Sequence, residues 1–264
     1  VPDDEQNLLY RWIALLTGSK NALKGIGFFL GGWLLATIGF QAAVGTMAAL
    51  LAMVLLFSLP LLDRTTGIAK QRSKFTQLFS KSAAINRLSA ARFFLFGSRD
   101  IWFVVALPLF LQTELNWSYM QVGSLLAAWI IGYGIVQTLA PKITAASGKT
   151  AFEWVAAICM LPALIAAGLY LGWNVELLIV AGLLIFGALF AINSSVHSYL
   201  IVSYAREDGA SLDVGFYYMA NAAGRLVSSL LSGLIYQYYG LAACLAGSSI
   251  MLIAAVVISR KLPR

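Results

Sequence analysis

Long apolar runs follow one another along most of this 264-residue chain. A helix needs about 20 mostly apolar residues to cross a bilayer. Backbone polar groups inside a bilayer must be satisfied within the segment, and these runs lack the alternating pattern of barrel strands, so each run is predicted to be a helix. The sequence therefore predicts an all-α polytopic membrane protein. Its eight spans are placed at residues 22–41, 44–62, 91–112, 119–140, 154–172, 175–202, 213–239 and 241–259.

The basic residues lie on one side of this predicted membrane. When the runs are drawn as successive crossings, every Lys and Arg except Arg99 and Arg225 falls on the same face. Because Lys and Arg accumulate in cytoplasmic loops, this face is predicted to be cytoplasmic, with both ends of the chain there. The net charge of +7 then follows from topology, and no nucleic-acid partner is expected. The residues on this face are Arg11, Lys20, Lys24, Arg64, Lys70, Arg72, Lys74, Lys81, Arg87, Arg92, Lys142, Lys149, Arg206, Arg260, Lys261 and Arg264.

The longest break in hydrophobicity covers residues 63–90 and is rich in basic side chains. We interpret it as a central cytoplasmic loop between two helical bundles. Residues 1–62 then form the end of an N-terminal bundle, with two spans, and residues 91–264 form a C-terminal six-helix bundle. The chain begins with Val1 and lacks signal-peptide architecture, so we expect it to be a piece of a longer protein with further spans upstream.

Several of the apolar runs contain polar side chains near their centres. Charged groups at membrane depth cost about 2.5 to 3.5 kcal/mol on insertion scales, so they face protein or a water-filled cavity. The runs at 44–62, 154–172 and 241–259 carry no charged residue, so every third helix is predicted to lie outside the others, against lipid. The polar residues of the remaining runs include Arg99, Asp100, Gln121, Tyr133, Gln137, Asn193, His197, Asn221 and Arg225.

This pattern of apolar third helices, with a basic loop before a six-helix half, resembles the major facilitator superfamily. The resemblance implies a partial fold of that family, in which the eight spans correspond to helices five to twelve and the polar helices line a central cavity. The run Gly27-Phe28-Phe29-Leu30-Gly31-Gly32 is also similar to the glycine-rich fifth-helix motif of the family's antiporters, with Phe28 where that motif has Pro.

Four runs carry a closer resemblance. They are LTGSKNALKG at 16–25, ARFFLFGSRDIWFVV at 91–105, GYGIVQ at 132–137 and VGFYYMANAAGR at 214–225. Together they resemble the organoarsenical efflux permeases of the ArsJ type, from the bacterial inner membrane. The resemblance implies export of 1-arseno-3-phosphoglycerate, which forms when glyceraldehyde-3-phosphate dehydrogenase uses arsenate in place of phosphate. Breakdown of the exported compound outside the cell releases arsenate, so the expected phenotype is arsenate resistance.

Candidate substrate-binding residues follow from the chemistry of such a cargo. A planar guanidinium binds phosphate or arsonate oxygens in pairs, so Arg99 and Arg225 suit a multiply charged anion. The alternatives are a structural ion pair of Arg225 with Asp100 and a helix-packing role for Arg99. Arg99 and Asp100 are adjacent, so they are expected to point about 100° apart and not to pair. The supporting candidates are Asn221, Asn193, Tyr133, Gln137 and Lys24, of which Lys24 also suits a membrane boundary.

Asp100 and His197 are the candidates for proton coupling. A carboxylate that alternates between pairing with an arginine and carrying a proton couples export to a proton gradient. Histidine titrates near neutral pH. The alternatives are a structural counter-ion role for Asp100 and hydrogen bonding within the bundle for His197.

Other classes of function have weaker support in the sequence. Ser194 and His197 are three residues apart, which permits the nucleophile and base of an intramembrane hydrolase, but no glycine-framed serine, HExxH motif or pair of membrane aspartates accompanies them. The hydrolase is therefore a remote alternative, and we expect no enzyme. Cys159 and Cys244 are isolated, so neither a metal site nor another cofactor is predicted. The nearest rival is a major facilitator exporter of another organic anion or a drug.

Overall fold

The computed structural model describes residues 3–61, 82–205 and 210–263 of the chain, and these residues form helices without a β-strand. Most of the predicted central loop lies outside the described residues, as do Arg64, Lys70, Arg72, Lys74, Lys81, Arg206 and Arg264. In chain order the helices are α1 (Asp3–Ser58), a 3-10 turn (Leu59–Leu61), α2 (Ala83–Phe103), α3 (Ala106–Thr113), α4 (Tyr119–Ile143), α5 (Gly148–Cys159), α6 (Leu161–Tyr170), α7 (Val175–Tyr204) and α8 (Ala210–Ser259).

Six helical segments in this described part are long and apolar enough to cross a membrane. Two of them, Glu5–Leu61 and Ala210–Ser259, have 57 and 50 residues. Helices of that length would extend about 75 Å or more, whereas the hydrocarbon core of a bilayer is only about 30 Å thick. Each therefore has to turn back within its length.

The turns occur at Gly39 and Gly240. Both have φ of 73°, with ψ of 176° and −174°, a region of backbone conformation that is essentially restricted to glycine. The chain reverses at each glycine, because residues before and after it lie close together in space. Around Gly39, a Cβ at Gly31 would lie 3.7 Å from Met47 Cε, and around Gly240, Cys244 Sγ lies 3.7 Å from the carbonyl oxygen of Ser232.

The two long helices therefore each have two antiparallel arms. The first and second arms of α1 are residues 3–38 and 40–58, and those of α8 are residues 210–239 and 241–259. With these arms counted separately, the described chain makes eight crossings, as the sequence predicts.

Two other crossings are interrupted near prolines. A proline lacks an N–H, and its ring collides with the carbonyl group four residues earlier. Pro108 accordingly follows the break between α2 and α3, and Pro162 stands at the start of α6, directly after the break at Met160. In each case the two short helices together make one crossing.

Helix α2 begins earlier than its apolar run predicts. The Ser82 hydroxyl accepts a hydrogen bond from the Ile85 N–H and caps the helix, which starts at Ala83. Ile85 and Leu88 are fully buried. The last part of the segment predicted as loop, residues 83–90, therefore belongs to the helical bundle.

The bundle has a large apolar core and a smaller one. In the large core, Trp102 of α2 packs edge-on against Phe186 of α7, with ring centroids 5.4 Å apart. The smaller core lies at the end of the bundle predicted to be cytoplasmic. There the rings of Tyr10 of α1 and Tyr199 of α7 pack together, with their centroids 5.3 Å apart. A third region, the second arm of α1, leaves its large apolar side chains exposed, as a lipid-facing helix does.

Helices α1 and α4 approach each other closely. A Cβ added at Gly18 would lie 2.5 Å from the carbonyl oxygen of Gly134, so a larger side chain at either position would force the helices apart. This close contact brings the polar residues that follow Gly18 on α1 next to those of α4.

Candidate functional site

A polar cavity of about 340 Å³ lies between α2, α4, α7 and the first arms of α1 and α8. None of its lining residues belongs to the second arm of α1, to α5 and α6, or to the second arm of α8. These helices contain the three spans predicted to lie outside the others, 44–62, 154–172 and 241–259, so the spans predicted as outer are the ones that do not line the cavity. The cavity is lined by Thr17, Lys20, Asn21, Lys24, Phe28, Arg92, Phe96, Arg99, Phe103, Val104, Ile130, Tyr133, Gln137, Ser194, Ser198, Tyr218, Asn221 and Arg225.

At the cavity wall, one carboxylate joins two arginines. Arg99 Nε donates to Asp100 Oδ1 at 2.6 Å, and Arg225 Nε donates to Asp100 Oδ2 at 2.7 Å. The ion pair between Arg225 and Asp100, which was the alternative to substrate contact, is therefore present. The expectation that Arg99 and Asp100 do not pair is wrong, because the long arginine side chain turns its guanidinium back to the neighbouring carboxylate, although the two Cβ atoms point in different directions.

This arginine-aspartate cluster retains positive charge. Two guanidiniums share one carboxylate, which leaves a net charge of +1. Asp100 is 1% exposed and Arg99 is 8% exposed, whereas the Arg225 side chain is 46% exposed. Asp100 lies behind the cavity wall, while both guanidiniums line it. The cluster can therefore present N–H groups to an anion in the cavity.

Arg92 is a third arginine in this cavity. The charge pattern assigns it to the predicted cytoplasmic face, but its side chain lies inside the bundle and is only 5% exposed. Its Nη1 donates to Ser194 Oγ at 3.1 Å and lies 3.4 Å from the Ser194 carbonyl oxygen. Arg92 lies inside the bundle because α2 begins at Ala83 and not near residue 91, which places it more than two turns into the helix.

One phenyl ring lies against two arginines of α2, Arg92 and Arg99. Arg92 Cζ is 3.7 Å from the centroid of Phe96, and Arg99 Cζ is 4.9 Å from it. Residues 92, 96 and 99 lie on one helix face, because they are four and three residues apart. Cation–π contacts with this ring orient both guanidiniums towards the cavity.

Asn21, Gln137 and Lys24 form a hydrogen-bonded chain across the α1–α4 contact. Asn21 Nδ2 donates to Gln137 Oε1 at 2.6 Å, and Lys24 Nζ donates to Asn21 Oδ1 at 3.3 Å. Gln137 and Tyr133 are buried at 1% and 4% exposure. The three predicted residues Lys24, Tyr133 and Gln137 thus all line the cavity, together with Asn21, which sequence reasoning missed.

The structure places Asn193 and His197 away from the cavity. They are 0% and 1% exposed, and their side-chain polar atoms have no hydrogen-bond partner in the described part of the chain. Ser194 and Ser198, one position further along α7, line the cavity instead. A one-residue step turns a helix by 100°, so the prediction selected the wrong face of α7. A role for His197 in proton coupling stays a prediction.

Asn221 and Arg225 line the cavity together, one helical turn apart on α8. The Asn221 side-chain oxygen is buried without a partner among the described residues. Sequence reasoning also missed Lys20, Ser194, Ser198 and Tyr218. Helical spacing gave a usable signal for Arg92, seven positions before Arg99, for Tyr218, seven before Arg225, and for Lys20, four before Lys24.

A second, apolar cleft of about 620 Å³ adjoins this cavity, and Lys24 and Phe28 line both. The glycine-rich run contributes Gly27, Gly31 and Gly32 to the wall of the cleft. In the wall of the cleft, Gly32 of α1 packs closely against Gly123 of α4. The cleft therefore extends the polar cavity with an apolar surface.

The geometry does not support a serine hydrolase. The Ser194 hydroxyl pairs with Arg92, and among the described residues no hydrogen bond joins it to His197. Cys159 and Cys244 are buried and free, and a search of the described residues finds no group of three His, Cys, Asp or Glu side chains that could hold a metal ion.

Five helices around a cationic cavity, with apolar helices outside them, define a polytopic membrane transporter. The sequence model of the Major Facilitator Superfamily matches residues 88–264, two thirds of the chain. The chain therefore belongs to the major facilitator superfamily and is an integral membrane protein that carries a small substrate, which favours transport over catalysis. A comparison with curated proteins finds no match.

Proposed function

We propose that the protein exports an organic anion by alternating access, and that its substrate is the organoarsenical 1-arseno-3-phosphoglycerate. The observation that carries the proposal is the cluster of Arg99, Asp100 and Arg225 at the cavity wall, with distances of 2.6 and 2.7 Å. The substrate assignment also draws on the resemblance to the organoarsenical efflux permeases.

The cavity has the chemistry that a multiply charged oxyanion needs. Arginine stays protonated in proteins, and its planar guanidinium matches phosphate and arsonate oxygens in pairs. Lys20 and Lys24 add two further cations to the wall. Trivalent arsenic would instead require clustered thiolates, and the two cysteines lie on different helices away from the cavity.

Asp100 is the candidate for proton coupling. A substrate oxyanion competes with this carboxylate for Arg99 and Arg225. A carboxylate that alternates between pairing with an arginine and carrying a proton can couple export to the proton gradient.

The proposed location of the protein is the bacterial inner membrane. The distribution of Lys and Arg supports an orientation with both ends of this chain in the cytoplasm. The cavity lies towards the end of the bundle at which α2 and α8 begin, which is the cytoplasmic end in that orientation. A cytoplasmic product of glyceraldehyde-3-phosphate dehydrogenase would enter from this side.

A second candidate is an exporter of another organic anion or an anionic drug. The apolar cleft beside Lys24 and Phe28 favours it, because 1-arseno-3-phosphoglycerate has no apolar part to fill a volume of about 620 Å³. A ligand with an anionic head and an apolar body would fill both spaces.

The proposal is tested in arsenate-sensitive cells that express the dehydrogenase together with this protein. We expect the wild type to confer arsenate resistance and Arg225→Ala to abolish it. The matched control is Arg11→Ala, which removes an exposed arginine outside the cavity and should retain resistance. Resistance that persists in Arg225→Ala contradicts the proposal. Export of a fluorescent organic anion without arsenate resistance favours the second candidate.

A further inference from the structure

We infer that the cavity has a second anion-binding position at Arg92 and that the ligand it accepts carries two anionic groups, one at each end of a short skeleton. The inference rests on the proposed transport of an organic anion and names the class of that anion. The residue concerned is Arg92, which the charge pattern assigns to the predicted cytoplasmic face.

Arg92 is a buried cation that forms no ion pair with the described residues. Its side chain is 5% exposed and lines the cavity, and no carboxylate of the described residues lies within ion-pair distance of it. Its Nη1 is bonded to Ser194, while its Nε is buried and has no partner in the described part of the chain. A buried charge that is not paired is strongly unfavourable, so an anion in the cavity would supply what the protein lacks here.

Hydroxyl groups complete this position. Ser194 Oγ accepts a hydrogen bond from Arg92 Nη1 at 3.1 Å, and a hydroxyl group can also donate one. Ser198, one turn further along α7, and Tyr218 of α8 also line the cavity. A guanidinium with a neighbouring hydroxyl donor can bind a carboxylate, phosphate or arsonate group.

The Arg92 position is separate from the arginine-aspartate cluster. Arg92 and Arg99 are seven residues apart, which is about 10 Å along the helix axis. The Phe96 ring lies against both, with Arg92 Cζ at 3.7 Å and Arg99 Cζ at 4.9 Å from its centroid. The distance between the two guanidinium carbons cannot exceed the sum of these two values. A molecule with anionic groups on either end of a short carbon chain can therefore contact both.

The two positions also differ in what a ligand must displace. At the cluster, an incoming oxyanion competes with Asp100 for the guanidiniums. At Arg92 no carboxylate of the described residues competes. A ligand with two anionic groups can place one group at the cluster and the other at Arg92, where it gains an additional charge-assisted contact.

Binding of two commercial probes to the protein purified in detergent tests the inference. The probes are 3-phosphoglycerate, with a carboxylate and a phosphate, and glycerol 3-phosphate, with the phosphate alone. We expect the wild type to bind 3-phosphoglycerate at least about tenfold more tightly, since charge-assisted hydrogen bonds contribute that much. In Arg92→Gln this preference should fall to about twofold or less. The control Arg11→Gln should keep the wild-type preference.

Each outcome has one meaning. A wild type that binds both probes equally, or an Arg92→Gln variant that keeps the tenfold preference, overturns the second position but leaves the proposed anion transport intact. A wild type that binds neither probe and confers no arsenate resistance contradicts the proposed function itself. If Arg92→Gln does not fold, Ser194→Ala replaces it, and that variant must lower the preference at least about threefold for the inference to stand.

Discussion

Two arginines on the same face of α2 are held in different ways. Arg99 is fixed by an ion pair with Asp100, which also holds Arg225 on α8. Arg92, two turns earlier, is fixed by a hydrogen bond to Ser194 on α7 and by the Phe96 ring. The ion pair positions its arginines but offsets much of their charge, whereas the hydroxyl and the ring position Arg92 and leave its charge available.

The comparison suggests that stability and ligand binding are divided between the two positions. Removal of one partner from a buried ion pair leaves an uncompensated charge, which is a large penalty. Removal of the Ser194 hydroxyl, which is hydrogen-bonded to Arg92, costs less. The charge of Arg92 is already without a carboxylate partner among the described residues. We therefore expect substitutions at the cluster to affect folding first and substitutions at Arg92 to affect ligand preference first.

The largest expected effect is that of Asp100→Ala. It leaves two guanidiniums close together without their shared carboxylate, at a cost of about 3–5 kcal/mol in the free energy of unfolding. Chemical denaturation of the purified protein in detergent measures this cost. Asp100→Asn, which keeps a hydrogen-bond acceptor of the same shape, is the matched control and should lose less. If Asp100→Ala unfolds at the same denaturant concentration as the wild type, the cluster does not stabilise the bundle.

A smaller effect is expected for Gly224→Ala, which precedes Arg225 on α8. A Cβ at this position would meet the backbone carbonyl group of Phe93 on α2, so the two helices must separate. We expect a loss of about 1–3 kcal/mol, as for other overpacked sites, together with a weaker Arg225–Asp100 pair. The contact of Arg92 with Ser194 lies between α2 and α7 and should persist.

The readouts for Gly224→Ala are chemical denaturation and the binding preference between 3-phosphoglycerate and glycerol 3-phosphate. Gly215→Ala is the control on the same helix, because a Cβ there would meet nothing within 4 Å. A Gly224→Ala variant with unchanged stability would mean that α2 and α8 can separate without cost, and that the cluster does not depend on their close approach.

The smallest expected effect is that of Phe96→Leu. The substitution keeps an apolar side chain but removes the ring against which both Arg92 and Arg99 lie. A cation–π contact contributes about 1 kcal/mol, so we expect the affinity for 3-phosphoglycerate to fall about fivefold in isothermal titration calorimetry. Phe29→Leu, at an exposed phenylalanine of α1, is the control. Equal affinities in Phe96→Leu and the wild type would show that the ring does not orient the guanidiniums.

The fold was largely predictable from the amino-acid sequence. A bilayer imposes a length and a polarity on each crossing, so apolar runs mark the helices directly, and the two reversals fall at Gly39 and Gly240, close to the boundaries between runs. The inner and outer helices were also predictable, because a charged side chain cannot face lipid without a large penalty.

The candidate site was predictable only in part. Arg99, Arg225, Asn221, Tyr133, Gln137 and Lys24 were found as cavity residues because polar side chains are rare in apolar runs. Asn193 and His197 met the same criterion but lie on another face of α7. In a helix that is apolar nearly all round, the sequence has no amphipathic pattern that identifies the cavity side, so its rotation depends on how neighbouring helices pack.

The sequence alone thus determined which segments of the described chain form helices long and apolar enough to cross a membrane and which of them carry charge, because solvation in a bilayer is decided segment by segment. Only the tertiary structure decided that Asp100 holds two arginines and that Arg92 faces the cavity. Those contacts join α2 to α7 and α8, which are about 100 residues or more away along the chain. The geometry of these contacts is set by the close packing of whole helices. No single segment of the sequence contains the information that determines this packing.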